Sequence, residues 1–337
     1  MSKTAKFIPI GLAAFVLAFC LHPLQVDALT IAPAYVDHSL NPGDTVIESL
    51  QVMNDQAEAV TVYPTVLNFT SGDDEQGTPR FYSASEDPYG TALARWVTVS
   101  GDKLVLAPQQ RASVLFTINI PQDAQPGGHY GAVALSSSPP GSAGSGVGVQ
   151  YQLAELVLVN VSGEVRERGS VAEFGFEKPK LWYEHLPIGF FLRYENSGNT
   201  HLRPTGELVI SDRFGRQAAS IKVNEEFKSV LPMSIRRFQS QWGHDLRDDE
   251  SATGFLAGLA REYRHFALGT YKASLFLDDG PQNKVLAGER EFSVWPWRLM
   301  AVGGAVAVVA LIILVWSIRT YVRAAIRRRS QKGATGH

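Results

Sequence analysis

The twenty residues from Leu299 to Ile318 carry no charge, and Arg319, Arg323, Arg327, Arg328, Arg329 and Lys332 follow them. A helix of that length rises about 30 Å, the thickness of a bilayer's hydrocarbon layer, where backbone polar groups have only one another to bond. The stretch therefore predicts one membrane-spanning helix over residues 298–318. Trp295, Trp297 and Arg298 at one end, and Trp316 and Tyr321 at the other, suit the headgroup layer, and the cationic tail over 319–337 marks the second end as cytoplasmic. Everything ahead of Trp295 is then expected outside the cytoplasm, on a single-pass membrane protein.

Lys3 and Lys6 precede an apolar run from Phe7 to Leu21, and Val26-Asp27-Ala28 offers a signal-peptidase site. A signal peptide over residues 1–28 is expected. Lipid attachment at Cys20 is disfavoured by the bulky Phe19 before it. Cys20 is the chain's only cysteine, so a mature protein starting at Leu29 is expected to have no disulfide, thiol nucleophile or thiolate metal site. Residues 29–163 hold 4 basic and 13 acidic side chains, and residues 164–297 hold 18 and 19. The first half is an anion, so no nucleic-acid partner is expected.

Between the two apolar segments, short alternating or β-branched runs are broken by Pro, Gly, Asn and Asp. In the first half they are Leu29 to Val36, Thr45 to Met53, Val60 to Phe69, Leu93 to Ser100, Arg111 to Ile120, His129 to Ser137 and Gln150 to Val161. Their spacing is that of a Greek-key sandwich. The halves also share landmarks. Val52-Met53-Asn54 and Tyr194-Glu195-Asn196 each end a run, Val105-Leu106-Ala107-Pro108 is echoed by Val230-Leu231-Pro232, and Gly128-His129-Tyr130-Gly131-Ala132 by Gly269-Thr270-Tyr271-Lys272-Ala273. Asn54 to Tyr130 is 76 residues and Asn196 to Tyr271 is 75, an internal repeat. The expected fold is all-β: two tandem immunoglobulin-like sandwiches, 29–163 and 164–297, and then the membrane helix. Tyr130 and Tyr271 are expected to be structural corners, each hydroxyl bonding backbone just ahead of its strand.

The second half is longer where Phe255, Leu259 and Tyr263 recur at helical spacing near 243–265, after possible caps at Ser251 or Thr253. Such an amphipathic helix is expected either as a partner surface or as a lid over the core. Ser138 to Gly146 reads as a Gly/Ser loop. No His-x₃-His pair, nucleophile elbow or phosphate loop is present, so no catalytic set, metal site or cofactor is expected, and enzyme activity is not. Asp73-Asp74-Glu75 lacks the ligand order of a calcium loop. Tyr82 and Tyr89, in a loop-rich stretch with Glu86 and Asp87, are candidate ligand-binding residues. Trp182, Tyr183 and His185 could stack on sugars or serve packing.

In architecture, and in the motifs Asn41-Pro42-Gly43-Asp44, Val52-x-Asn54 and Gly127 to Val133, the chain resembles the WxL-interacting proteins of Gram-positive bacteria. That resemblance implies a protein of the bacterial cell membrane whose first domain meets peptidoglycan, with Tyr63, Phe81, Tyr82, Tyr89 and Trp96 as the available rings, and whose second meets a secreted or surface protein. The leading expectation is a membrane-anchored binding or scaffold protein. The alternative is a tethered assembly chaperone resembling the pilus chaperones, which are also two immunoglobulin-like domains and lend a strand to an incomplete subunit.

Overall fold

The computed structural model describes residues 29–139, 152–243, 253–278 and 284–334. The expected signal peptide, most of the Gly/Ser loop and Ser251 lie outside these. The chain divides into two compact units, Met1–Phe69 with Phe81–Ser162, and Thr70–Arg80 with Gly163–His337.

The first unit contains β1 (Leu29–Ala32), β2 (Tyr35–Leu40), β3 (Thr45–Asn54), β4 (Val60–Ser71), β5 (Pro79–Tyr82), β6 (Val97–Val99), β7 (Leu104–Leu106), β8 (Arg111–Asn119), β9 (Gly127–Ser136) and β10 (Gln152–Val161). One sheet runs β1-β3-β8-β6; the other runs β2-β10-β9-β4-β5, with β7 on β4. The opening run, continuous in sequence, is split at Pro33. Proline has no N–H to give a ladder, and there the chain changes sheets: β1 lies antiparallel to β3, and β2 parallel to β10. Alternate residues meet between the sheets, Leu50, Val52, Val114 and Phe116 from one and Val62, Val133, Leu135 and Val157 from the other. This is an immunoglobulin-like sandwich.

The second unit contains β11 (Gly169–Phe176), β12 (Ile188–Asn196), β13 (Gly206–Asp212), β14 (Gln217–Val223), β15 (Ser234–Trp242), β16 (Gly269–Asp278) and β17 (Lys284–Val294). Its sheets are β11-β12-β15 and β14-β13-β16-β17, also an immunoglobulin-like sandwich. Its core is aromatic: Phe176, Tyr183, Phe190, Trp242 and Tyr271 surround Phe292 with ring centroids 5.6 to 6.0 Å from it. Helix α1 (Phe255–Arg264) precedes β16, and α2 (Trp297–Ala334) leaves β17. Among the described residues, the Trp297–Arg323 part of α2 is the one helix long and apolar enough to cross a membrane.

The repeated landmarks form the same buried polar device twice. Asn54 and Asn196 are fully buried at the ends of β3 and β12. Asn54 Nδ2 donates to the carbonyls of Glu58 and Leu106 at 2.8 and 3.2 Å, and Asn196 Nδ2 to those of Thr200 and Val230 at 2.7 and 2.8 Å. Each side-chain oxygen accepts the N–H two residues on, from Gln56 and Gly198. Six residues past each asparagine, Val60 pairs with Leu106 and Leu202 with Val230. One amide thus ties each turn to the strand it must meet.

Tyr130 and Tyr271, the expected pair of corners, lie on opposite faces of their strands relative to the core. Tyr271 shares the parity of Ala273 and Leu275, faces the core, and donates its hydroxyl to the Leu268 carbonyl at 3.2 Å. Tyr130 is fully buried on the other face of its strand from Val133 and Leu135, edge-on to Phe69. Its hydroxyl lies where a Cβ on Gly128 would stand, 1.9 Å away. The offset arises because the left-handed glycine is three residues before Tyr130 (Gly127) but two before Tyr271 (Gly269), which reverses the face of the tyrosine.

Asn196→Ala removes two buried donors' worth of bonding and leaves two carbonyls dry, so it is expected to destabilise the fold by about 2–3 kcal/mol. Asn54→Ala should cost a similar amount, measured by denaturant unfolding. Asn→Asp at either site should be no better, since it puts an acceptor against carbonyls.

Candidate functional site

The loop expected to present a ligand site is held inward. Asn68, fully buried, donates from Nδ2 to the carbonyls of Ser83 and Glu86 and accepts from the N–H groups of Leu93 and Ala94. Asp87 accepts from the N–H groups of Thr91 and Ala92, so its carboxylate closes the turn. Glu86 is exposed. Tyr89 is 56% exposed, but Tyr82, expected beside it in solvent, is half-buried with its hydroxyl enclosed and its ring 6.0 Å from Tyr89. Burial raises the Tyr82 pKa. Tyr63, Phe81 and Trp96 are half-buried too. The expected set of rings is therefore one exposed tyrosine, not a platform.

The acidic triplet is likewise occupied. Asp74 caps its own turn through Gln76 N–H and Thr78 Oγ1, while Glu75, in the Thr70–Arg80 part of the second unit, accepts from Arg193 Nε at 2.8 Å. Those bonds hold both carboxyls below the usual range, with Thr78 the first cause for Asp74 and Arg193 for Glu75. Among the described residues no group of three or more His, Cys, Asp or Glu side chains could hold a metal ion.

Two features stand out that residue spacing did not reveal. The first is Glu155 on β10. It has the parity of Val157 and Val159, so it points between the sheets, and it is 1% exposed. Neither carboxyl oxygen has a hydrogen-bond partner among the described residues. Burial, and then the like charge of Glu48, push its pKa up to about 7. Glu48 in turn stands 3.0 Å from His38 Nε2. Among the described residues, the same stretch of β10 lacks a strand on one edge. β9 pairs with Gln152 to Val161, whereas β2 covers only Leu156 to Val161.

The second feature is the start of α2. Arg298 Nη1 donates to Glu184 at 2.6 Å and to the fully buried Glu262 of α1 at 2.9 Å, and the other Glu262 oxygen accepts the Leu299 N–H at 2.8 Å. Carboxylates at a helix N-terminus meet its positive dipole end. Gly258 is required here: a Cβ would come within 2.6 Å of Arg298 Nε. Trp297 Nε1 donates to Glu184 at 3.2 Å, so the expected membrane-interface residues Trp297 and Arg298 are tied to the second unit, and Trp295 donates its N–H to the Tyr183 carbonyl. The buried side of α1 is Gly258 and Glu262. Phe255 and Tyr263 are exposed and Leu259 half-buried, so the helix is no lid, and its N-cap is Gly254, not Thr253.

No family model matches the sequence, and no curated protein matches it. Solved structures do. The class 5 fimbriae chaperone CfaA is 11% identical with a TM-score of 0.34, over 79% of this chain and 99% of that one. The Escherichia coli chaperone DraB is 13% identical with a TM-score of 0.31, over 80% and 98%. The SafB chaperone–SafA pilin complex of Salmonella enterica gives 10% identity and a TM-score of 0.31, over 81% and 99%.

Because the folded-state pKa of Glu155 is raised, its contribution to stability is full below about pH 4.5 and is lost as pH rises through about 7. Glu155→Gln should remove this slope, worth roughly 3 kcal/mol across that window, and so be more stable than the parent at pH 8. Denaturant midpoints at pH 5 and pH 8 check it. Glu262→Gln and Gly258→Ala should each loosen α1, read as trypsin cleavage at Arg261 or Arg264 that is about tenfold faster or more in membrane-embedded protein.

Proposed function

We propose that this chain is a membrane-tethered binding protein, with both sandwiches outside the cytoplasm, whose first unit takes an extended segment of a secreted protein as an added strand, as a tethered assembly chaperone would. The half-open edge of β10 carries this reading. Leu156 donates its N–H to the Ala34 carbonyl on the β2 side. Strand residues two apart point the same way, so Ala154 directs its N–H and C=O to that side too, where no strand stands among the described residues. An incoming segment would continue the line of β2 and complete the ladder. Native sheets usually cover or blunt such an edge. Beside it lies Glu155, a carboxyl without a hydrogen-bond partner among the described residues, which favours a segment that brings one hydrogen-bond donor among apolar residues.

The cations after Ile318 support the orientation. The resemblance to WxL-interacting proteins enters this proposal through architecture alone. Peptidoglycan suits the first unit less well than an extended peptide, since of the five rings only Tyr89 is well exposed.

Photo-cross-linking from position 154 in intact cells tests the proposal. The expected adduct joins a secreted protein through a segment of alternating apolar residues. Ala154→Pro, which removes the edge donor without taking a bond from the β9 ladder, should reduce capture about tenfold, and Ala154→Val, which keeps it, should not. Undiminished capture by the proline variant would discard strand addition, and retention of residues 29–162 by purified wall would favour the polysaccharide instead.

A further inference from the structure

Amphipathic helices of globular proteins turn their apolar stripe to the core, and α1 does the reverse. Its buried residues, Gly258 and Glu262, serve the Arg298 clamp, while Leu256 and Tyr263 are 77% and 76% exposed and Phe255 lies outside with them. Phe266, just past the helix, is exposed as well.

The same end of the second unit carries more apolar surface. The 178–187 segment is tied to β17 through Tyr183 N–H to the Ser293 carbonyl, and to the end of α1 through Leu186 N–H to the His265 carbonyl. Its tip is Leu181, 92% exposed, and Trp182, 50% exposed. The cationic side chains of Lys178, Lys180 and Arg264 are exposed beside these. All of this surrounds the point where the chain enters α2, and the Phe255 ring lies 6.1 Å from that of Trp297, the first residue of α2.

We propose that α1 and the 178–187 segment form a lipid-contacting collar. The apolar face of α1 lies in the headgroup layer of the bilayer that α2 crosses, Leu181 and Trp182 enter the same layer, and Lys178, Lys180 and Arg264 meet anionic headgroups. Continuity decides the occupant: the apolar face starts at the membrane-entry residue itself, and its polar flank is cationic, the pattern of helices that lie in an interface. The inference rests on α2 spanning a bilayer, and it does not depend on what the first unit binds.

The test uses the full chain with Cys20→Ser and one new cysteine at a time, Leu256→Cys, Tyr263→Cys, Ile312→Cys or Met233→Cys, each carrying an environment-sensitive fluorophore. Met233, 82% exposed, adjoins the Ser234–Asn196 end of the second sandwich, opposite the Val294 end from which α2 leaves. The protein is reconstituted in vesicles of phosphatidylethanolamine and phosphatidylglycerol that hold spin-labelled lipids. Probes at 256 and 263 should be quenched by headgroup-level spin labels roughly threefold more than the probe at 233, and the probe at 312 by labels deep in the acyl chains. Quenching at 312 with 256 and 263 as unquenched as 233 overturns the collar and leaves the spanning helix standing. Absence of quenching at 312 overturns the spanning helix, and the collar with it.

Discussion

A chain that leaves one sheet of a sandwich for the other must turn at the end of the core, where its carbonyls face neither a ladder nor water. Burying such a group without a partner costs of order 1–3 kcal/mol, and each unit meets the demand with a single amide side chain. Asn54 and Asn196 are the residues on which the rest of each sandwich depends. Their donors decide where the next strand begins and which later strand it touches. Asn68 and Asn224 do related work elsewhere, Asn224 by bonding the Pro204 and Lys228 carbonyls.

Much of this was legible in the sequence, because alternation reports a sheet with one buried face. The seven runs of the first half correspond to strands, and Asn54 and Asn196 stood out through their spacing to later landmarks. The three-residue β7 and four-residue β5 did not, since runs that short show no period. The face of Tyr130 was not legible either. One residue of slip after the left-handed glycine reverses a strand's two sides, and matched spacing between two tyrosines is blind to that slip.

For α1 the limit was of a different kind. Apolar spacing located the helix but left open whether its stripe meets a partner or covers the core, and the exposure of Phe255 and Tyr263 removes only the lid. A signal existed on the opposite side. Gly258 and Glu262, four apart, put a gap and a carboxylate on one line of the helix, which suits an incoming arginine better than an aliphatic core. Arg298, at the very start of the apolar stretch, was the residue to match with them. Glu155 was harder to see, because its burial follows from the parity of β10, and parity is known only once the strand's partners are.

The joint between the second sandwich and α2 has hardly any slack. Only Trp295 and Pro296 separate Val294, the last residue of β17, from the first residue of α2, and Trp295 N–H bonds the Tyr183 carbonyl while Met300 N–H bonds that of Pro296. With Arg298 held between two carboxylates as well, sandwich and helix behave as one lever. A helix tilt of roughly 20°, ordinary for a membrane span, would swing the far end of a sandwich about 30 Å tall through about 10 Å. If α2 crosses a bilayer, whatever shifts its tilt, bilayer thickness included, would then act mechanically on where the second unit points.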